Sequence, residues 1–119
     1  MAQPQTPATA TATATATPIH RVTLFKIASN DDQQRLLQLY QQMPTKALKH
    51  GKPYIRSVVA GPAEPDQRAQ GFTFAAVSVF SSAADMAYYD GECAAHAELR
   101  AFARTVHSGA MVVFFENRL

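Results

Sequence analysis

The sequence predicts one α+β domain, residues 19–119, preceded by a low-complexity tail, residues 1–18. Three observations support this. Four apolar stretches have the length of strands, regions of helical periodicity lie between them, and 119 residues suffice for one domain only. Hydrophobic residues make up 47% of the chain and charged residues 17%, which is enough apolar material for a packed core. The elements follow the order β-α-β-β-α-β, which is the ferredoxin-like arrangement.

The tail reads MAQPQTPATATATATATP and contains three prolines, Pro4, Pro7 and Pro18. Alternating Ala and Thr imitate a strand, but alanine buries too little area to offset the entropy lost on ordering. We therefore expect the tail to be disordered, and no function is assigned to it.

The first strand and helix are predicted over residues 19–47. IHRVTLFKI (19–27) is apolar on both faces, as in a strand that is covered on both sides. Ser29 has the position of an N-cap, with Asp32 three residues later. The apolar stripe of this helix is Leu36, Leu39, Tyr40, Met43 and Ala47. Pro44 is expected to end or kink the helix, since it lacks a backbone donor.

The remaining elements follow from the same patterns. In chain order they are a strand (54–61), a loop rich in proline and charge (62–71), a strand (72–80), a short helix (81–89), a longer helix (93–106) and a last strand (109–117).

Both faces of the predicted sheet are apolar, although helices can cover only one face of this arrangement. Phe25 alternates with Leu24 in the first strand, and Phe114 with Phe115 in the last. The second face needs a cover, and a second copy of the sheet is the simplest one. We therefore expect a symmetric homodimer.

Charge and cysteine content limit the partners and the compartment. The net charge is only +2, so nucleic acid is not an expected partner, and no apolar run approaches the length of a membrane span, so a membrane is not expected either. A single cysteine, Cys93, fits a reducing compartment, and no targeting signal or apolar span is evident, so a cytoplasmic location is expected. The basic residues Lys46, Lys49, Lys52 and Arg56 either complement a helix dipole or meet an anionic substrate group.

The segment YYDGECAAH (88–96) holds the densest run of reactive side chains. Cys93 and His96 have the spacing of a ligand pair, but no second pair accompanies them, so no zinc site is predicted. Cys93 fits a small buried residue better than a nucleophile. His96 or His107 could ligate haem, but no haem motif supports this, and no cofactor is expected.

Residues 20–117 resemble the stress-responsive A/B barrel family of the dimeric α/β-barrel superfamily. The resemblance is carried by VTLFK (22–26), IRSVVAG (55–61), GFTFAAVSVF (71–80) and DMAYYDGECAAH (85–96). In the last segment the family pattern is an acidic residue, Leu-x-x-Tyr, a short loop and Pro-Ala-His. The resemblance implies a ferredoxin-like protomer that pairs into a barrel, with a pocket between helices and sheet.

The resemblance to olivetolic acid cyclase-type polyketide cyclases implies a cofactor-independent cyclase or lyase that performs aldol chemistry. His96 falls on the family histidine and would be the base. Tyr89 aligns with the family tyrosine, which would donate to the enolate oxygen, if the extra loop residue of this sequence is placed after the helix. If positions are instead counted back from His96, Asp90 aligns with that tyrosine. Tyr40 corresponds to a pocket tyrosine of the first helix.

The sequence departs from the family at two pocket positions. Arg21 stands where the family has a strand histidine, and His20 is one residue out of register, so it is expected on the opposite face. Phe74 replaces a histidine of the third strand. Phe25 and Phe74 are expected to line the pocket with Tyr40. The alternatives are a non-catalytic stress-responsive or ligand-binding dimer and a cofactor-free or haem-dependent oxygenase relative.

Overall fold

The computed structural model describes residues 17–119; most of the predicted tail lies outside the described residues. The elements in chain order are β1 (Ile19–Lys26), α1 (Asn30–Lys46), β2 (Leu48–Lys49), β3 (Lys52–Pro53), β4 (Ile55–Pro62), a 3-10 turn (Gln67–Ala69), β5 (Phe74–Phe80), α2 (Ala83–Gly91), α3 (Ala94–Val106) and β6 (Gly109–Glu116). The predicted α+β, ferredoxin-like arrangement is confirmed. In the described part of the chain, no helix has the length and apolarity needed to cross a membrane.

A four-stranded antiparallel sheet with the strand order β4-β5-β1-β6 forms one layer of the fold. β1 and β5 are central, and β4 and β6 are the edges. The register pairs Val22 with Val77 of β5 on one side and with Val113 of β6 on the other. Since strand side chains alternate between faces, this register decides which residues meet the helices.

The helices pack on one face of the sheet and form the core with it. In β1 the buried residues are every second one, beginning at Ile19 and continuing through Arg21, Thr23 and Phe25. The fully buried residues with the largest side chains are Phe74, Phe80, Ile27, Leu36, Met43 and Leu99. Two serines act as N-caps because their hydroxyl oxygens accept hydrogen bonds from backbone N–H groups in the first helical turn. The Asp32 N–H donates to Ser29 Oγ at 3.3 Å at the start of α1, and the Asp85 N–H donates to Ser82 Oγ at 3.2 Å at the start of α2.

The opposite face of the sheet carries no helix and is apolar, as the alternation predicted. Its centre is a row of four valines that crosses all four strands, Val59, Val77, Val22 and Val113. The edge members are 64% exposed at Val59 and 51% at Val113. His20 lies on this face and stacks on Phe115, so the prediction that it points away from the Arg21 side is confirmed. We call this surface the open face.

Two local features differ from the sequence prediction. Helix α1 continues two residues past Pro44 and ends at Lys46, because proline removes only its own donor and the Ala47 N–H still reaches the Met43 carbonyl. A small hairpin of β2 and β3 was not predicted. Its strands have two residues each, too few for any alternation, and the turn uses positive φ at His50 and Gly51.

The packing of α1 on the sheet generates a stability prediction. Leu36→Ala removes a fully buried side chain and should lower the free energy of unfolding by roughly 2–5 kcal/mol. Leu48→Ala, at an exposed position of β2, is the matched control and should cost about 1 kcal/mol or less. Urea unfolding followed by circular dichroism measures both. Equal losses in the two variants would contradict the packing described.

Candidate functional site

A cavity of about 170 Å³ lies between the helices and the β1–β6 side of the sheet. Its walls come from β1, α1, α3 and β6 and from the residue that follows α3. The lining residues are Arg21, Thr23, Phe25, Tyr40, His96, Leu99, Arg100, Ala103, Arg104, His107, Ala110 and Val112. This is the pocket between helices and sheet in which the predicted site residues can be located.

His96 lies in the first turn of α3 and is only 3% exposed. Its Nδ1 donates to the backbone carbonyl of Tyr89 at 2.9 Å. A carbonyl can only accept, so this contact fixes the proton on Nδ1. The Nε2 atom of the neutral ring therefore keeps its lone pair.

Several effects act on the protonation of His96. Burial is the largest and lowers the pKa of His96 to about 4. The hydrogen bond to Tyr89 raises this pKa, the charge of Arg21 lowers it, Asp90 raises it and Arg100 lowers it. The imidazole is consequently neutral at pH 7 and able to accept a proton.

Tyr89 lies beside His96 rather than among the residues that line the cavity. Its ring stacks on the imidazole, with ring centroids 3.7 Å apart, and it is only 2% exposed. Burial is the main reason that the pKa of the Tyr89 hydroxyl lies above its ordinary value. Tyr88 points elsewhere, because its hydroxyl donates to the Leu48 carbonyl at 3.0 Å. Of the two adjacent tyrosines, Tyr89 is the one next to His96.

Arg21 connects the sheet to this corner. Its guanidinium donates to Asp90 Oδ2 at 2.7 Å and lies 5.4 Å from the centre of the Tyr89 ring. The other Asp90 oxygen is 3.7 Å from His96 Nδ1. Arg21 thus places a cation in the cavity wall at the position of the family histidine. Sequence reasoning recognised the substitution but assigned Arg21 no role.

The three predicted pocket residues occupy different places. Tyr40 and Phe25 line the cavity. Phe74 lies behind them, with its ring centroid 5.9 Å from that of Tyr40 and 6.5 Å from that of Phe25. Burial raises the pKa of the Tyr40 hydroxyl to about 12, although Arg21 and the Thr23 hydroxyl act in the opposite direction. Tyr40 is therefore a protonated hydroxyl at neutral pH and a potential donor.

Arg100, Arg104 and His107 also line the cavity. Sequence reasoning missed the two arginines and considered His107 only as a haem ligand. The signal was available: residues 96, 100 and 104 are spaced by four and so share one face of a helix. The basic residues singled out instead, Lys46, Lys49, Lys52 and Arg56, are not among the lining residues. Two of them form ion pairs, Lys46 with Glu98 and Lys49 with Asp85.

Cys93 is a buried free cysteine that precedes α3 and makes no side-chain cap. Within residues 17–119, no group of three or more His, Cys, Asp or Glu side chains is arranged to hold a metal ion. The residues that line the cavity offer a neutral imidazole, a tyrosine hydroxyl and cationic side chains.

The depressed pKa of His96 predicts a specific acid sensitivity. In the unfolded chain the ring is protonated below pH 6.5, but in the folded protein only near pH 4, so stability falls as the pH drops between these values. Between pH 7 and pH 4, the wild type should lose on the order of 3 kcal/mol more unfolding free energy than His96→Gln. Urea unfolding at both pH values measures this. The exposed His50→Gln variant should behave like the wild type, and an equal acid loss in His96→Gln would contradict a neutral buried imidazole.

Comparison with known proteins identifies the family. The profile of the Stress responsive A/B Barrel Domain matches residues 19–117. A Fusaristatin A biosynthesis cluster protein of Gibberella zeae is 43% identical over 99 residues, covering 82% of this chain and 72% of the relative. Hydroxynitrile lyase from Passiflora edulis superimposes with a TM-score of 0.72 at 17% identity, over 87% of this chain and 97% of the lyase. A dimeric ferredoxin-like protein of unknown function from Jannaschia sp. CCS1 superimposes with a TM-score of 0.68 at 12% identity, over 84% and 99% of the two chains. The chain belongs to the stress-responsive A/B barrel (Dabb) family.

Proposed function

We propose that this chain is a homodimeric enzyme of secondary metabolism, a cofactor-independent cyclase or lyase that acts on a polyketide-like or other carbonyl-rich small molecule. One observation carries the proposal. His96 is neutral at physiological pH, its Nδ1 proton is fixed by the Tyr89 carbonyl, and the ring lines a cavity that also contains a tyrosine hydroxyl. A neutral histidine with a free Nε2 lone pair can accept a proton at pH 7, although the lowered pKa of His96 makes it a weaker base than an exposed histidine.

The relatives are consistent with this chemistry. The Gibberella zeae protein belongs by its name to a biosynthesis cluster, which supports a place in secondary metabolism.

The cavity is of suitable size for part of a small molecule, since a cavity of about 150 Å³ can hold benzene. Its volume of about 170 Å³ would therefore accept a ring or a short segment of a chain.

The proposed reaction is an intramolecular aldol addition. His96 Nε2 removes a proton from a carbon between two carbonyl groups, and the electron pair forms an enolate. The enolate carbon attacks a carbonyl further along the same molecule, which forms the new carbon–carbon bond and leaves an alkoxide. The imidazolium then returns its proton to the alkoxide, so the base is regenerated. Read in reverse, the same steps cleave the bond, as a lyase does.

The enolate oxygen needs a hydrogen-bond donor in the cavity. Tyr40 lines the cavity and is held in the hydroxyl form, so we propose that it donates to this oxygen. Tyr89 was assigned this role from the family resemblance, and its hydroxyl remains a second candidate. Its stacked ring supports a further role, since it fixes the plane of the His96 imidazole. Arg21 adds positive charge to the same wall.

The open face supports the homodimer. Its row of valines, with Met111 and Phe115 beside it on β6, forms an exposed apolar surface that spans the sheet. A surface of this kind is a typical protein interface. Because the two copies are identical, pairing through the same face gives a closed dimer with twofold symmetry.

Four variants distinguish the contribution of the proposed base to the rate from that of the proposed hydrogen-bond donor. A linear triketo acid is a suitable substrate, because its aldol adduct loses water to form an aromatic ring, and the ultraviolet absorbance of that ring reports the cyclisation. His96→Gln should abolish turnover. Tyr40→Phe should lower the rate by on the order of 10²–10³, because it removes one oxyanion donor. Tyr89→Phe should cost less, since the stacked ring remains, and Tyr88→Phe should leave the rate unchanged, since its hydroxyl contacts Leu48.

Two results would revise this assignment. If Tyr89→Phe lost as much activity as Tyr40→Phe, the Tyr89 hydroxyl would also be a donor. If His96→Gln and Tyr40→Phe retained the full rate of the folded wild type, the cavity would not be catalytic. The non-catalytic ligand-binding dimer would then be the better interpretation.

The dimer can be tested through the centre of the open face. Light scattering of the wild type at micromolar concentration should give about twice 12.9 kDa. Val77→Glu places a carboxylate in the row of valines and should give a monomer, because a buried unpaired charge opposes association. Gln34→Glu, on the exposed surface of α1, is the control and should remain dimeric. A monomeric wild type would remove this interpretation of the open face.

A further inference from the structure

One wall of the cavity is a line of basic side chains on α3. His96, Arg100 and Arg104 follow one another at intervals of four residues, and His107 comes directly after the helix. Each interval advances about 6 Å along a helix. The cationic groups therefore extend away from the proposed base along the length of the cavity.

These cations lack the partners that most other arginines have. Arg21, Arg68 and Arg118 each have a carboxylate oxygen within 3.0 Å. Among residues 17–119, neither Arg100 nor Arg104 makes an ion pair or a side-chain hydrogen bond, although Arg100 acts on His96 through its charge. Two nitrogen atoms in this wall, the donor Arg100 Nε and the ring nitrogen His107 Nδ1, are buried and have no hydrogen-bond partner in the described structure.

The composition of the cavity explains why this pattern points to a ligand. The lining includes three arginines and two histidines but no aspartate or glutamate, and Asp90, which lies near His96, is engaged by Arg21. A buried donor without a partner costs free energy, so an acceptor from outside the chain would stabilise this wall. Guanidinium groups favour oxyanions, to which they donate pairs of hydrogen bonds.

We propose that Arg100 and Arg104, with His107, bind an anionic group of the substrate, a carboxylate or a phosphate. The inference rests on the proposed function in naming the substrate class of the same cavity. The anionic end would lie along α3, and the apolar part of the molecule would contact Leu99, Ala103 and Val112. This places the reacting carbon near His96, with the anionic group one or two helical turns further along. The substrate is then an organic acid or a phosphorylated molecule rather than a neutral ketone.

Binding of inert probes tests this without reference to catalysis. Benzoate carries a carboxylate, phenyl phosphate carries a phosphate, and methyl benzoate is the neutral counterpart of benzoate. We expect benzoate or phenyl phosphate, in titrations followed by amide nuclear magnetic resonance at low salt, to shift residues of the cavity wall. Methyl benzoate should bind at least about tenfold more weakly, since a hydrogen bond to a charged group is lost. The anion that binds more tightly identifies the group.

Matched variants assign the binding to the arginines. Arg100→Gln and Arg104→Gln should each weaken anion binding by about tenfold or more. Arg35→Gln, on the exposed surface of α1, removes the same charge away from the cavity and should change the dissociation constant less than about twofold. Similar melting temperatures would show that all three variants are folded.

Three outcomes would overturn the inference. The first is that methyl benzoate shifts the cavity residues as strongly as benzoate, and the second is that Arg35→Gln weakens binding as much as Arg100→Gln. Absence of any cavity shift with either anion at tens of millimolar would do the same. Failure of the proposed function would look different, because loss of the aldol activity would leave anion binding and its dependence on Arg100 intact.

Discussion

The hydrogen bond between His96 Nδ1 and the Tyr89 carbonyl is the contact on which the site depends. The last carbonyls of a helix have no partner within that helix. At the end of α2, the N–H groups of Glu92 and Cys93 both reach the Tyr88 carbonyl, and His96 supplies the donor for Tyr89. The imidazole thereby completes the C-terminus of one helix while it begins the next. The same bond selects the tautomer whose Nε2 can act as a base, so the structural and the chemical roles of His96 are inseparable.

The charges around this bond hold the corner together and keep the imidazole neutral. Arg21 reaches from the central strand β1 to Asp90 in the last turn of α2, which joins the sheet to the corner. Burial, Arg21 and Arg100 all lower the pKa of His96, and the hydrogen bond and Asp90 offset only part of this. Had Arg21 been the family histidine, Asp90 would have lost its partner at 2.7 Å. The departure from the family pattern in β1 is thus coupled to the acidic residue in the last turn of α2.

The fold was predictable because its signals are local and periodic. Apolar stretches of strand length indicated the four long strands, and Ser29 with Asp32 indicated the start of α1, which the cap contact confirms. The site was predictable only in part. The resemblance singled out His96, Tyr89 and Tyr40, but the sequence does not reveal which neighbour of a buried ring faces a cavity. Only the three-dimensional structure shows that Tyr89 stacks on His96 and that Phe74 lies behind Tyr40.

The arginines of α3 show a different limit of sequence reasoning. Arg100 and Arg104 follow the spacing of His96, but a basic residue on an amphipathic helix is usually solvated, so spacing alone does not distinguish a cavity wall from a surface. What distinguishes them is the opposing strand. Ala110 of β6 has a side chain too small to fill the space beside α3, and the cavity remains open there. A cavity of this kind is recognised from pairs of residues, a small one on the strand opposite a long basic one on the helix. Such pairs can be identified only when it is known which strand lies beside the helix.

Strand β6 also connects the cavity to the open face. Ala110 and Val112 line the cavity, whereas Met111 and Val113 alternate with them and point to the open face. An edge strand has only one neighbour and is otherwise the least supported part of a sheet. A second copy packed on the open face would restrain β6 from behind and so hold the wall opposite Arg100 in place. Dimerisation would thereby act on the geometry of the site even though no residue of the open face enters the cavity.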